Sequence, residues 1–219
     1  MASSFTPAQE RDVVPAPPTR SGDAARRGGA RRPSAARERI LATADRLFYA
    51  TGIRAVGVDR VIAESEVARM TFFRHFPTKD DLVASFLRHR VERAQEELAQ
   101  VKAESGDDPR AVLASFAAGV SDERARPGFR GCEFINTSAE FCDPTHPARG
   151  ISAAHRAWVV AELADALARL GHPAPQPTAE TLLMLRTGAV VASALEGLTV
   201  DDETFARTWW ALAGVDPQA

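Results

Sequence analysis

From Ile40 onward the apolar side chains recur at spacings of three and four, and nowhere do they sustain the alternation of a half-buried strand. Ile40, Ala44, Leu47 and Phe48 fall at i, i+4, i+7 and i+8, one stripe of a helix. Runs of β-branched residues are short. The chain is therefore restricted to an all-α fold, and the remaining task is to find where each helix stops.

Punctuation residues give the boundaries. Gly52 is placed to end the first helix in a left-handed turn. Val58, Val61 and Ile62 mark a short second helix. Thr71, Phe72, Phe73 and Phe76 mark a third, which stops before Pro77. Thr78-Lys79-Asp80-Asp81 reads as a capping box with Asp81 in the reciprocal place, opening a long helix that carries Leu82, Phe86 and Leu98. Asp108-Pro109 opens the next helix, which runs to about Arg126. Residues 129–150 are irregular apart from a helical stretch around 135–141. Helix resumes from about Pro147 to Leu170 and ends at Gly171. Pro173, Pro175 and Pro177 read as a stiff link, after which Thr178 caps a helix to about Glu196 that is apolar nearly all round. A last helix starts near Asp201 and carries Phe205, Trp209, Trp210 and Leu212.

The net charge of −2 conceals an asymmetry. Residues 1–90 hold 16 Lys+Arg against 10 Asp+Glu, a net of +6, whereas residues 91–219 hold 11 against 19, a net of −8. A basic front part on an acidic rear part fits a chain that meets a polyanion with the front alone. Residues 1–33 hold five Pro, three Gly and six Arg with little to bury, so they read as a disordered basic arm. Apolar runs are too short to span a membrane, and two cysteines cannot form a disulfide framework, so a reducing cytoplasm is the expected compartment.

The stretch from Val58 to Phe76 has helix-turn-helix spacing, with the turn near 65–67 and the groove helix over 68–75. Residues 37–48 followed by Val58 to Leu82 resemble the TetR family of bacterial transcriptional regulators; Thr71 to Leu82 is the most specific part. The stretch Gly131-Cys132-Glu133-Phe134-Ile135-Asn136 with Glu140 also resembles one branch of that family. The resemblance implies an N-terminal three-helix helix-turn-helix domain over 34–81 and a C-terminal helical ligand-binding and dimerisation domain over 82–219. It implies that Arg69, Met70, Thr71, Phe73 and His75 face DNA and that Lys79 contacts a phosphate. The implied function is that of a ligand-responsive dimeric repressor on a palindromic operator, neither an enzyme nor a cofactor protein. Three positions depart from the family pattern. Phe73 stands where Tyr is common, Gly57 where Ser or Thr is common, and Glu66 where the turn glycine is usual. Glu66 either takes a left-handed conformation, at roughly 1 kcal/mol, or another turn geometry.

A regulator of this kind needs an effector pocket, apolar with a few orienting polar groups. Phe116, Phe134, Phe141, Trp158 and Met184 are candidates for its walls, and Asn136, Glu140 and His155 for its polar groups. Homodimerisation is expected through the helices near 178–196 and 201–213, paired as a four-helix bundle. Two other readings stay open: a helical enzyme using Glu140, His146 or His155 as acid–base groups, and a redox or metal sensor through Cys132 and Cys142. The spacing C-x9-C-x3-H-x8-H formed by Cys132, Cys142, His146 and His155 matches no compact zinc pattern, so no metal is expected. A surface module that binds anionic membranes through the arm is a third possibility; the expected partners are operator DNA and a small molecule, not a membrane.

Overall fold

A computed structural model of the chain describes residues 34–195 and 201–216. Among these residues there are nine helices and no strand. The expected arm over 1–33 and the expected helix end at Glu196 lie outside the described residues.

Ser34 opens α1 (Ala35–Thr51), its hydroxyl accepting from the Arg37 N–H at 3.2 Å. One face of α1 buries Ile40, Leu41, Ala44, Leu47 and Phe48. Gly52 ends it at φ 88° and ψ 151°. The positive φ is as expected, but ψ is extended instead of left-handed helical, a region open essentially to glycine alone. Two short helices follow, α2 (Val58–Ser65) and α3 (Arg69–His75). Between them Glu66 sits at φ 52° and ψ 45°, so the turn keeps its left-handed form without a glycine. Phe72 and Phe76 are buried beneath α3 and fasten it to α1.

The capping box at Thr78 is present in full. The Thr78 hydroxyl accepts from the Asp81 N–H at 3.1 Å, and the Asp81 carboxylate accepts from the Thr78 N–H at 3.0 Å. It opens α4 (Lys79–Glu104), which serves two cores. Leu82, Val83, Phe86 and Leu87 pack with α1 to α3, whereas Leu98 belongs to the second core. The single helix α4 therefore contributes to both cores.

Asp108 caps α5 (Pro109–Ala125), accepting from the Arg110 N–H at 2.9 Å. The short α6 (Glu133–Glu140) and long α7 (Pro147–Arg169) come next, then α8 (Pro175–Ala194) and α9 (Asp202–Ala213). α7 lies centrally, against α4, α5, α6 and α8, and the second core closes around Leu113, Leu163, Leu167, Leu182 and Trp209. The start of α8 corrects the sequence reading. The helix begins at Pro175, not after Thr178, and Ala174 is its cap residue. Pro175 and Pro177 occupy the first turn, where no N–H is needed and φ is already helical, so they do not form a link. α8 also proves one-sided. Leu182, Leu183, Ala189 and Val190 are buried, while Met184 is 63% and Val191 37% exposed, and Leu195, just past the helix end, is exposed as well. No described helix is long and apolar enough to cross a membrane.

Candidate functional site

The helix-turn-helix pair is held from beneath and open above. Phe72 is buried, whereas Met70 is 81% exposed and Arg69 and Arg74 are exposed. Arg69 folds back on its own neighbours, pairing with Asp59 and lying 5.3 Å over the Phe73 ring. Thr71, Phe73 and His75 are half-buried. Phe73 meets Phe72 edge-on at 5.3 Å, so it serves the core edge while reaching the surface. His75 Nε2 lies 3.0 Å from the Ser34 hydroxyl, which links the end of α3 to the cap of α1. No side chain caps α2, because Gly57 stands there.

Lys79 and Glu140 meet at the loop that leads into α2. The Glu140 carboxylate accepts from the Ile53 N–H at 2.9 Å and from the Arg54 N–H at 2.6 Å. Lys79 Nζ donates to the Ile53 carbonyl at 2.6 Å. Burial lowers the Lys79 pKa, opposed by the pull of Glu140 and Asp80. Gly52 completes the contact, for a Cβ there would sit 3.2 Å from Glu140 Oε1. A second tie runs in parallel. The Tyr49 hydroxyl donates to the Gly131 carbonyl at 3.1 Å and accepts from the Arg130 N–H at 2.9 Å. The segment before α6 and the end of α6 are thus both fastened to the helix-turn-helix domain. Glu140 is placed at that junction and does not line the cavity.

A cavity of about 430 Å³ opens among α4, α5, α6, α7 and α8. Of the pocket candidates, Phe116, Phe134, His155 and Trp158 line it. The other four pocket candidates lie elsewhere. Asn136 is exposed and donates to the Arg130 carbonyl at 2.9 Å, Phe141 stacks on His146 at 3.9 Å, Met184 faces solvent on α8, and Glu140 clamps the loop. The cavity also has a charged lining that sequence reasoning missed, including Arg90, Glu123, Glu133 and Arg186. Arg90 holds Asp45 through two hydrogen bonds, at 2.6 and 3.0 Å, and Arg186 pairs with Glu123. One signal was available: Arg186 is the lone charge in the apolar stretch from Thr181 to Ala194. Burial pushes the Glu123 carboxyl up, against the lowering effect of Arg186.

The acid–base candidates do not converge on one place. Glu140 is at the loop, His146 caps α7 by accepting from the Ala148 N–H at 3.2 Å, and His155 faces the cavity. Of the two cysteines, both free, Cys142 is exposed and Cys132 lines the cavity. Burial pushes the Cys132 thiol up to about 11, which disfavours the reactive thiolate. Among the described residues no group of three or more His, Cys, Asp or Glu is placed to hold a metal ion.

His155 stacks on Phe134 at 4.0 Å, and burial holds its pKa down to about 4, helped by Arg186 and Arg156. An unfolded imidazole titrates near ~6.5. As pH falls from about 6.5 towards 4, the unfolded chain gains a proton that the folded chain refuses, so stability drops by about 3 kcal/mol at most. His155→Phe keeps the stacking and removes this loss. Melting temperatures measured from about pH 7 down to pH 4.5 should therefore fall less steeply for His155→Phe than for the parent chain. Equal slopes would show that His155 is not held neutral.

Residues 40–86 match the family model for bacterial regulatory proteins of the tetR family. SCO4454, a TetR-family transcriptional regulator from Streptomyces coelicolor, is 36% identical, with 82% of this chain and 92% of that chain covered and a TM-score of 0.72. The NemR transcriptional repressor of Escherichia coli is 26% identical over 132 residues. That match spans 60% of this chain and 66% of NemR, just under two thirds of its length. The crystal structure of reduced E. coli NemR shares the fold, with a TM-score of 0.68 at 20% identity over 82% of this chain and 96% of that one. The chain belongs to the TetR family of bacterial transcriptional regulators.

Proposed function

We propose that this regulator is a cytoplasmic repressor that binds a palindromic operator as a homodimer and is released by a small molecule seated in the cavity. The observation that carries the DNA reading is α3, short, anchored by buried Phe72 and presenting exposed Arg69, Met70 and Arg74 to solvent. Small and basic side chains on such a helix suit base edges and phosphates in the major groove. In this reading Thr71, Phe73 and His75 flank the contact. Lys79 donates to a phosphate with the N–H groups that the Ile53 carbonyl leaves over, since an ammonium has three donors. NemR, named as a repressor, supports repression as the outcome.

Dimerisation is supported by the apolar stripe of Met184 and Val191, at i and i+7 on the exposed side of α8, with exposed Leu195 just past its end and exposed Leu212 on α9. Gly188 lies within that stripe and leaves open space where a Cβ would stand. Two copies pairing α8 and α9 would bury these residues as a four-helix bundle and fix the separation of the two α3 helices.

Release is supported by α6. Cys132 and Phe134, at its start, line the cavity, and Glu140, at its end, holds the loop before α2. An effector that binds more tightly to a shifted α6 favours a second pose of the helix-turn-helix, and the operator is lost through that difference in affinity.

Arg69→Ala should weaken operator binding at least about tenfold, as expected for a lost base or phosphate contact. Unchanged affinity in a mobility-shift titration would remove α3 as the reading helix. Met184→Glu should turn the dimer into a monomer in sedimentation velocity and abolish operator binding, because a charge would be buried in the bundle. A dimer that persists with full affinity would place the interface elsewhere.

A further inference from the structure

Four rings form one side of the cavity. Phe116 lies 6.2 Å from Trp158, Trp158 lies 5.5 Å from His155, and His155 stacks on Phe134 at 4.0 Å. They run without a break from α5 across α7 to α6. Rings that cover one another's faces leave mainly edges towards the cavity, and ring edges pack against the face of another flat ring.

The charges around the cavity cancel. Arg90, Arg93, Arg126 and Arg186 stand against Glu97, Asp122, Glu123 and Glu133. The inner ones are paired, Arg90 with Asp45 and Glu133 and Arg186 with Glu123, and the exposed Arg93 pairs with Glu97. Asp122 and Arg126, of opposite sign, lie exposed. A ligand carboxylate reaching Arg186 would lie beside the carboxylate already paired with it, Glu123, and the two like charges would repel. A ligand cation reaching Glu123 would meet the Arg186 guanidinium in the same way. An uncharged ligand meets neither repulsion.

Two buried polar atoms of cavity-lining residues have no hydrogen-bond partner, Arg186 Nε and His155 Nδ1. The first can only donate. Burial keeps His155 uncharged at neutral pH, so it presents a weak polar edge and not a cation.

We infer that the cavity selects uncharged, flat, conjugated carbonyl compounds, the ring system lying along Phe116, Trp158, His155 and Phe134 and the carbonyl oxygen accepting from Arg186 Nε. This rests on reading the cavity as the effector site. A hydroxyl on such a ligand, where present, meets His155 Nδ1. The size suits one or two fused rings, since cavities of roughly 300–1,000 Å³ enclose small organic ligands.

The test uses the full chain and four naphthalenes of matched shape, titrated by calorimetry: 2-acetylnaphthalene, 2-ethylnaphthalene, 2-naphthoate and 2-naphthyltrimethylammonium. The ketone should bind about tenfold or more tightly than the hydrocarbon, the value of one hydrogen bond from a charged donor, and tighter still than both ions. Arg186→Gln should reduce affinity for the ketone while leaving that for the hydrocarbon within about twofold, a split that general loss of structure would not give. Tighter binding of either ion, equal binding of ketone and hydrocarbon, or no binding of any probe overturns the inference. Operator release is followed in parallel. Ketone binding without release upholds the cavity chemistry and rejects the effector reading, whereas release by an ion alone upholds the effector reading and rejects this ligand class.

Discussion

One carboxylate holds the two halves of the molecule in register. Glu140 closes α6 and takes the backbone N–H groups of Ile53 and Arg54, the loop through which α1 hands the chain to α2. Backbone N–H groups need partners, and a carboxylate acceptor makes such bonds about twice as strong as neutral ones. Lys79 holds the carbonyl side of the same loop, and Gly52 alone gives the carboxylate room to approach. The loop is therefore set from both sides, and the orientation of α2 and α3 follows from it. Because the other end of α6 lines the cavity, one short helix of eight residues touches both the proposed ligand and the reading head.

The division of labour between packing and polar contacts is clear in this arrangement. Phe72, Phe76, Leu82 and Phe86 make the helix-turn-helix a firm body by burial alone. The second core around Leu163, Leu167 and Trp209 does the same for the other half. Between them lie directional contacts at Tyr49, Arg130, Glu140 and Lys79, with Phe134 reaching into the first core from α6. Apolar cores resist deformation because they are close-packed, whereas a few hydrogen bonds can exchange partners at small net cost. The junction between the two close-packed cores is thus held mainly by contacts of the second kind.

Much of this was legible in the residues. Helical periodicity, the Thr78–Asp81 capping box and the Asp108-Pro109 start act within one turn of chain, and each stands where local chemistry puts it. For Glu66 the residues left open a left-handed conformation or another turn geometry, and it takes the first. Local signals failed where the answer depends on packing. Thr178 looks like a cap, yet Pro175 and Pro177 are tolerated in a first turn and extend α8 towards its N-terminus. Among the pocket candidates, aromatic identity alone could not separate Phe134, which lines the cavity, from Phe141, which stacks on His146 outside it. Glu140 was read as a polar group of the pocket, and its partners could not be seen because they are backbone amides 86 and 87 residues away in sequence. The paired charges of Arg90 and Arg186 escaped for the same reason: a salt bridge across helices leaves no spacing to read.

The most direct test of the clamp is amide hydrogen exchange in Glu140→Ala, read at Ile53 and Arg54 and along α2 and α3. The account predicts exchange at Ile53 and Arg54 at least about tenfold faster, matching loss of a hydrogen bond to a charged group, with rates on α1 unchanged. Ile53 and Arg54 amides exchanging at the parent rate would mean that Glu140 does not set the loop, and that the path from cavity to DNA runs elsewhere.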